Sequence, residues 1–233
     1  MTETIPAALA AAVRRDPTVP LLTWYDDATG DRTELSGATL ANWVSKTANL
    51  LADGAGLGPG DTAVVLLPPH WQTAAILLGA WSAGLAVTGA KGDILFTSPA
   101  GFEQAAAETT GDRYATGLLP LAMPLRELPP GFADYTVEVR QFGDHFTPVQ
   151  PVTAADLALG DRTHGDIPAA ERAAELGITP GSRVLIDAAV HPDPVDWLLA
   201  PLYAGASIVL CAHLDPSAVE KRVATEKVTV TLT

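Results

Sequence analysis

Cysteine and positive charge are scarce in this 233-residue chain. Its one cysteine, Cys211, cannot form a disulfide within the chain, which is typical of proteins from a reducing compartment. The 14 lysine and arginine residues are outnumbered by 27 aspartate and glutamate residues, which gives a net charge of −13. A charge of this sign opposes binding to nucleic acid and docking on an anionic membrane. We therefore expect neither nucleic acid nor a membrane among its partners.

Long hydrophobic runs are also missing. The most apolar stretch, residues 73–87, is interrupted by Gly79, Ser82 and Gly84 and falls short of a bilayer span. The first residues lack the basic start and apolar run of a secretion signal. Hydrophobic residues nevertheless make up 48% of the chain, enough to build a core. These features predict a soluble, acidic, cytoplasmic protein.

Strand and helix patterns alternate along the chain. Helical spacing of apolar residues predicts helices at 36–53, 71–83, 195–203 and 215–225, and short apolar runs predict strands at 21–25, 62–67, 85–88, 93–97, 183–188, 207–211 and 228–232. Alternation of this kind indicates parallel crossover units. The pattern predicts an α/β fold with parallel or mixed sheets and helices on both faces.

The remaining segments are less regular. We predict a helix at 101–109 that ends at Glu108-Thr109-Thr110-Gly111-Asp112, strand pieces at 135–139 within a proline-rich irregular region, and a helix that Asp166 caps and that runs to residue 176. Residues 1–233 are interpreted as one shortened domain, in which a boundary between two packed sub-domains can lie near 148–165.

Common catalytic and cofactor motifs are not found in their required contexts. The glycines at 54, 56, 58 and 60 follow a predicted helix and precede a strand, the reverse of the order in a dinucleotide-binding loop. No two of the five histidines have metal-ligand spacing, and no Gly-x-Ser-x-Gly motif is present. We therefore predict no metal, no cofactor and no catalytic residue.

The order of several segments resembles the adenylate-forming superfamily, which includes acyl-CoA synthetases, adenylation domains and luciferases. The similarity is carried by Leu22-Thr23-Trp24-Tyr25, Gly58-Pro59-Gly60-Asp61, Ala80-Trp81-Ser82-Ala83-Gly84, Thr163-His164-Gly165-Asp166 and the run 198–206. The resemblance implies a shortened form of the N-terminal domain of these enzymes. It does not by itself transfer their activity.

Two departures from the family pattern affect function. The family's Ser/Thr/Gly-rich phosphate loop, which ends in Pro-Lys-Gly, is replaced by Leu159-Gly160-Asp161-Arg162. That loop binds phosphates through backbone N–H groups, hydroxyls and a lysine. The chain also stops at Thr233, before the family's adenine-contacting segments and its C-terminal domain. We therefore expect a homologue that lacks both parts.

The resulting interpretation is a degenerate, non-catalytic relative that binds a small acyl, aryl or nucleotide-like ligand or a protein partner. The resemblance leaves Thr163, His164 and His191 as candidates for contact with a ligand. Two alternatives remain: an acyl or aryl ligase fragment completed in trans by another chain, and a structural homo-oligomer.

Overall fold

Two β-sheets organise the protein in a computed structural model that describes residues 4–105 and 109–233. The first sheet has five strands in the order β12-β10-β11-β1-β2, and the second has seven in the order β7-β6-β5-β3-β4-β8-β9. The pairs β1–β2 and β8–β9 are antiparallel and the other pairs are parallel. The predicted α/β fold with mixed sheets is confirmed.

The strands are short and mostly buried. Their bounds are β1 (Pro20–Asp26), β2 (Asp31–Ser36), β3 (Thr62–Leu66), β4 (Ala86–Thr88), β5 (Gly92–Thr97), β6 (Thr109–Ala115), β7 (Ala133–Asp134), β8 (Leu157–Leu159), β9 (Arg162–Thr163), β10 (Arg183–Asp187), β11 (Ser207–Ala212) and β12 (Val230–Leu232). Because β1 joins β11, the first sheet combines the beginning of the chain with its last third.

The helices pack on both sheets. They are α1 (Ile5–Arg15), α2 (Gly37–Asn49), α3 (Trp71–Ala83), α4 (Phe102–Ala105), α5 (Tyr135–Glu138), α6 (Ala169–Glu175), α7 (Ala200–Ala204) and α8 (Val219–Glu226). One π-helical turn, Leu50–Gly54, continues α2, and another, Val195–Leu199, precedes α7. Among the described residues, no helix is both long and apolar enough to cross a bilayer.

Helix α3 is central to the core, since nearly all of its side chains are buried. Its Gly79 lies so close to α2 that an added Cβ would be 2.5 Å from the Cβ of Thr47. The indole Nε1–H of Trp81 donates to the carbonyl of Ala158 at 2.7 Å, which joins α3 to β8. Close packing thus holds α3 against α2, and one buried hydrogen bond holds β8 against α3.

Two charged clusters hold α8 on the first sheet. Arg222 makes a bidentate contact with Asp27 and lies 4.2 Å from the centre of the Tyr25 ring. One turn later, Glu226 accepts hydrogen bonds from Tyr25, Arg32 and Arg183. These polar contacts hold α8 on the sheet together with Val223, which packs against the buried cluster of Leu185, Val209 and Cys211.

Two predicted elements are wrong. Residues 109–112 belong to strand β6 rather than to a helix end, and an added Cβ at Gly111 would collide with the carbonyl oxygen of Asp93. Residues 135–138 form helix α5 rather than strand pieces, because the carboxylate of Asp134 accepts from the backbone N–H groups of Thr136 and Val137. Glu108, which the first prediction also included, lies outside the described residues.

The predicted cap of α6 is also wrong. Pro168 occupies the N-cap position and no side chain caps the helix. Asp166 instead accepts a hydrogen bond from the hydroxyl of Thr163 at 2.7 Å. Its carboxylate therefore stabilises the turn after β9 and not the helix.

Candidate functional site

A cleft lies at the carboxyl ends of β3, β4 and β8, beside the loop that follows β10. Ligands of parallel α/β sheets bind at this edge of the sheet. The cleft has a volume of about 180 Å³. Its lining residues are mostly apolar: Val65, Leu67, Pro69, Thr73, Leu77, Val87, Thr88, Gly89, Leu159, Pro192, Pro194 and Trp197.

The two hydroxyl groups of the cleft already have acceptors. Thr73 donates to the carbonyl of Pro68 at 2.7 Å, and Thr88 donates to the carbonyl of Ala90 at 2.5 Å. Because each hydroxyl carries a single hydrogen, neither has another to donate to a ligand while these bonds persist. The cleft therefore selects for apolar surface rather than for phosphate or sugar.

The turn between β8 and β9 occupies the place predicted for the missing phosphate loop. Leu159 pairs with Arg162, which leaves only Gly160 and Asp161 in the turn. Gly160 has φ +61°, at the loop position where a type II′ turn requires a positive φ. Its N–H donates to the carbonyl of Val87 at 2.9 Å, so this backbone donor is not available to an anion.

The charge at the turn is mixed. Asp161 is exposed within it, and Arg162 follows as the first residue of β9. One arginine next to one aspartate cannot replace a loop of converging N–H groups and hydroxyls around two phosphates. The turn therefore provides no cradle for a triphosphate.

Two of the three candidate residues have local structural roles. Thr163 is bonded to Asp166, as described above. His164 is 2% exposed, and its Nδ1 accepts from the backbone N–H of Ile5 at 3.3 Å. Burial lowers the pKa of His164, and the carboxylate of Asp156 opposes this in part. The neutral His164, which directly follows β9, thus holds the first turn of α1 through this hydrogen bond.

The third candidate, His191, belongs to a polar group next to the cleft. Its Nδ1 lies 3.0 Å from a carboxylate oxygen of Asp196, and Arg172 holds the same carboxylate through Nε at 2.7 Å and Nη2 at 2.9 Å. The hydrogen bonds from Arg172 lower the pKa of Asp196, with a further contribution from His191. An ionised Asp196 favours the tautomer with a proton on Nδ1, which leaves Nε2 as an acceptor.

The sequence predicted His191 but not its two partners. Asp196 is in the π-helical turn before α7 and Arg172 is on α6, so only the fold brings them together. Within residues 4–105 and 109–233, no three His, Cys, Asp or Glu side chains gather in a way that could hold a metal ion.

Comparison with known proteins shows the family to which this chain belongs. The family model described as AMP-binding enzyme matches residues 9–94. A TIGR03089 family protein of Mycobacterium tuberculosis (strain ATCC 25618 / H37Rv) is 40% identical over 246 residues, which cover 97% of this chain and 98% of the relative. The chain belongs to the TIGR03089 family.

Solved structures of other proteins share the fold of this chain. A Brucella canis acyl-CoA synthetase superposes with a TM-score of 0.73 at 18% identity, covering 96% of this chain and 46% of that one. The N-terminal domain of FACL13 from Mycobacterium tuberculosis gives 0.70 at 12% identity, covering 98% and 62%. The fold is that of the N-terminal domain of adenylate-forming enzymes, as the resemblance implied.

This chain spans about half the length of the full synthetases that it matches. The anthranilate CoA ligase AuaEII, solved with anthranoyl-AMP, superposes with a TM-score of 0.73 at 14% identity, and the match covers 98% of this chain but 49% of that one. At these identities the likeness establishes the fold and leaves the activity to be argued from this chain's own residues.

Proposed function

We propose that this protein is a non-catalytic member of the adenylate-forming fold that binds a small acyl or aryl group in the cleft at the carboxyl ends of β3 and β4. The observation that carries the proposal is the two-residue turn at Gly160 and Asp161. It closes the place of the phosphate loop while the neighbouring cleft stays open. The protein thus keeps space for an apolar group without a means to activate it with ATP.

The size of the cleft restricts the ligand. Drug-sized ligands occupy pockets of roughly 300–1,000 Å³, whereas an apolar cavity of about 150 Å³ can hold benzene. A cleft of about 180 Å³ therefore fits one aromatic ring or a short acyl chain. The cleft is too small to hold a nucleotide in addition to that group.

His191 would give the ligand its polar end. It directly precedes Pro192, which lines the cleft, and its ring orientation is fixed by Asp196. With Nδ1 bonded to that carboxylate, Nε2 can accept a hydrogen bond from the N–H of an amide such as benzamide. A ring or short chain in the cleft would then present its polar group toward the loop after β10.

Two assays test the proposal directly. Calorimetric titration with benzoate, benzamide, butyrate and hexanoate is expected to show binding of at least one of them. ATP–pyrophosphate exchange with the same acids is expected to show no turnover by the purified protein. Turnover would contradict the non-catalytic role, and a ligase half completed in trans would turn over only after its missing chain is added. Absence of binding by all four compounds would reject the cleft as a ligand site and favour a structural homo-oligomer.

Gly89 allows the site of binding to be tested. It lies at the rim of the cleft, has no left-handed φ, and an added Cβ there meets no atom within 4 Å. Gly89→Phe is therefore expected to cover the mouth and reduce affinity at least tenfold, while Gly89→Ala leaves it unchanged. Gly58→Phe is the matched control, because Gly58 is equally open but lies in the turn at the opposite edge of the sheet. Equal affinities in all variants would show that the ligand binds elsewhere.

A further inference from the structure

A second and larger cavity lies away from the cleft, between α1, α2 and the segment 145–152. Its volume is about 620 Å³, within the range of pockets that hold drug-sized ligands. It shares no lining residue with the cleft described above. We call it the α1 groove, defined by Thr4, Pro6, Leu9, Ala10, Val13, Arg14, Ala41, Val44, Ser45, Ser82, His145, Phe146, Pro148, Pro151 and Val152.

The floor of the α1 groove is an apolar stripe that ends in a cation. Pro6, Leu9, Ala10 and Val13 follow helical spacing along one side of α1, and Arg14 comes next in the last turn. The nine residues from Pro6 to Arg14 rise roughly 12 Å along the helix axis. The groove is therefore elongated, and the arginine lies at one end of its floor.

The roof of the groove is fixed at its ends and free between them. Asn49 donates to the carbonyls of Gly143 and His145 at one end, and Asp156 accepts from the N–H of Thr153 at the other. Among the described residues, 146–152 make no backbone–backbone hydrogen bond. A segment with so few backbone bonds can move at small cost in free energy, which gives a ligand a way in.

The charge at the end of the groove lacks an internal partner. The side chain of Arg15, its neighbour, donates to the carbonyl of Gly205, whereas the side chain of Arg14 makes no ion pair or hydrogen bond with any residue in 4–105 or 109–233. In a chain with a net charge of −13, a cation with no such partner beside apolar surface is available to an external anion.

We propose that the α1 groove binds a single-chain amphiphile with an anionic head group. Its apolar chain would lie along Pro6, Leu9, Ala10 and Val13 beneath the 145–152 segment, and its head group would pair with Arg14. Charge complementarity identifies the head, and the elongated apolar floor identifies the chain. The proposal does not depend on the function proposed for the cleft.

Calorimetric titration with decanoate, decyl sulfate and 1-decanol, each below its micelle concentration, tests the ligand class. Both anions are expected to bind about three- to fivefold more tightly than the alcohol, the preference that an ion pair with the exposed Arg14 provides. Arg14→Gln is expected to remove this preference without weakening the alcohol, while Arg126→Gln, in the loop between β6 and β7, leaves all three unchanged. Equal binding of anions and alcohol by the unmodified protein, or no binding of either anion, would overturn the proposal.

A matched pair of alanines on α1 tests the location. Ala10 lines the groove, whereas Ala7 is exposed on the same helix and does not. Ala10→Trp is expected to reduce decanoate affinity at least tenfold, and Ala7→Trp is expected to have no effect. Equal affinities in the two variants would place the ligand outside the groove. Gly89→Phe is expected to leave decanoate binding unchanged, so that failure at the cleft and failure at the groove can be told apart.

Discussion

Replacing Glu226 by glutamine removes the negative charge at the centre of the cluster that joins α8 to the five-stranded sheet. Glu226 is 6% exposed and accepts from the Tyr25 hydroxyl at 2.5 Å and from Arg32 at 2.9 Å, with Arg183 as a third donor. Burial alone would raise the pKa of Glu226. The hydrogen bonds from Tyr25, Arg183 and Arg32 outweigh burial and lower it to about 2.

The magnitude follows from this pKa. One pKa unit corresponds to about 1.4 kcal/mol, so lowering the pKa from its ordinary value of 4.5 to about 2 contributes roughly 3 kcal/mol to stability. Since the folded state binds this proton less tightly than the unfolded state, the contribution is complete above the unfolded pKa. It is lost as the pH falls from about 4.5 toward 2. Glu226→Gln is thus expected to cost roughly 3 kcal/mol at pH 7 and much less at the acidic end of this window.

Urea denaturation monitored by circular dichroism measures the loss of stability at pH 7. Repeating it down to the lowest pH at which the native protein remains folded measures how that loss changes with pH. Glu34→Gln is the control, because Glu34 also pairs with Arg32 but its side chain is 36% exposed, and exposed pairs contribute about 1 kcal/mol or less. The reasoning is refuted if Glu226→Gln costs no more than Glu34→Gln at pH 7. It is also refuted if the cost of Glu226→Gln does not decrease with falling pH.

Three further predictions concern the core. Gly79→Ala is expected to cost about 1–3 kcal/mol in urea denaturation, because its Cβ would collide with Thr47, whereas Gly89→Ala should stay within about 0.5 kcal/mol of the native protein. Trp81→Phe is expected to cost about 1–3 kcal/mol in the same assay, because a buried carbonyl of β8 loses its donor. Cys211 is fully buried and burial raises the pKa of its thiol to about 11, so Ellman's reagent at pH 8 should label it only after denaturation.

Periodic apolar segments could be predicted well from the sequence. Helix α3 was expected at residues 71–83 and has these bounds, and the strands on either side of it pair in parallel through β3 and β4, as a crossover unit requires. Such segments are buried on most sides. Because burial requires apolar side chains, their hydrophobic pattern in the sequence indicates their place in the structure. The prediction that the family's phosphate loop is missing between Leu159 and Arg162 rests on a different signal, the similarity of the flanking segments to the family, and two residues form the turn there.

Elements that depend on one polar contact or on tertiary packing could not be predicted in this way. Residues 109–112 were expected at the end of a helix, but they form the first part of strand β6 because a neighbouring strand, β5, offers parallel pairing. Residues 135–138 have strand-forming side chains, yet one capping carboxylate, Asp134, makes them helical. Helix α1 was missed, although Thr4 at its cap, Pro6 in its first turn and Arg14 in its last are the usual signals.

Individual polar contacts, which the sequence does not reveal, also decide the roles of the candidate residues of the site. Thr163 and His164 match the family where its phosphate loop ends, which suggested contact with a ligand. In this protein Thr163 stabilises a turn through Asp166, and His164 holds the first turn of α1 through Ile5. The bond to Asp166 explains Thr163 without a ligand, whereas His164 bonds only through Nδ1 and its buried Nε2 has no hydrogen-bond partner among the described residues. His191 differs in its location, because its bond to Asp196 fixes the ring next to the cleft, and its second nitrogen has no hydrogen bond within the described part of the chain. A ligand-dependent role therefore rests on His191 and the cleft beside it.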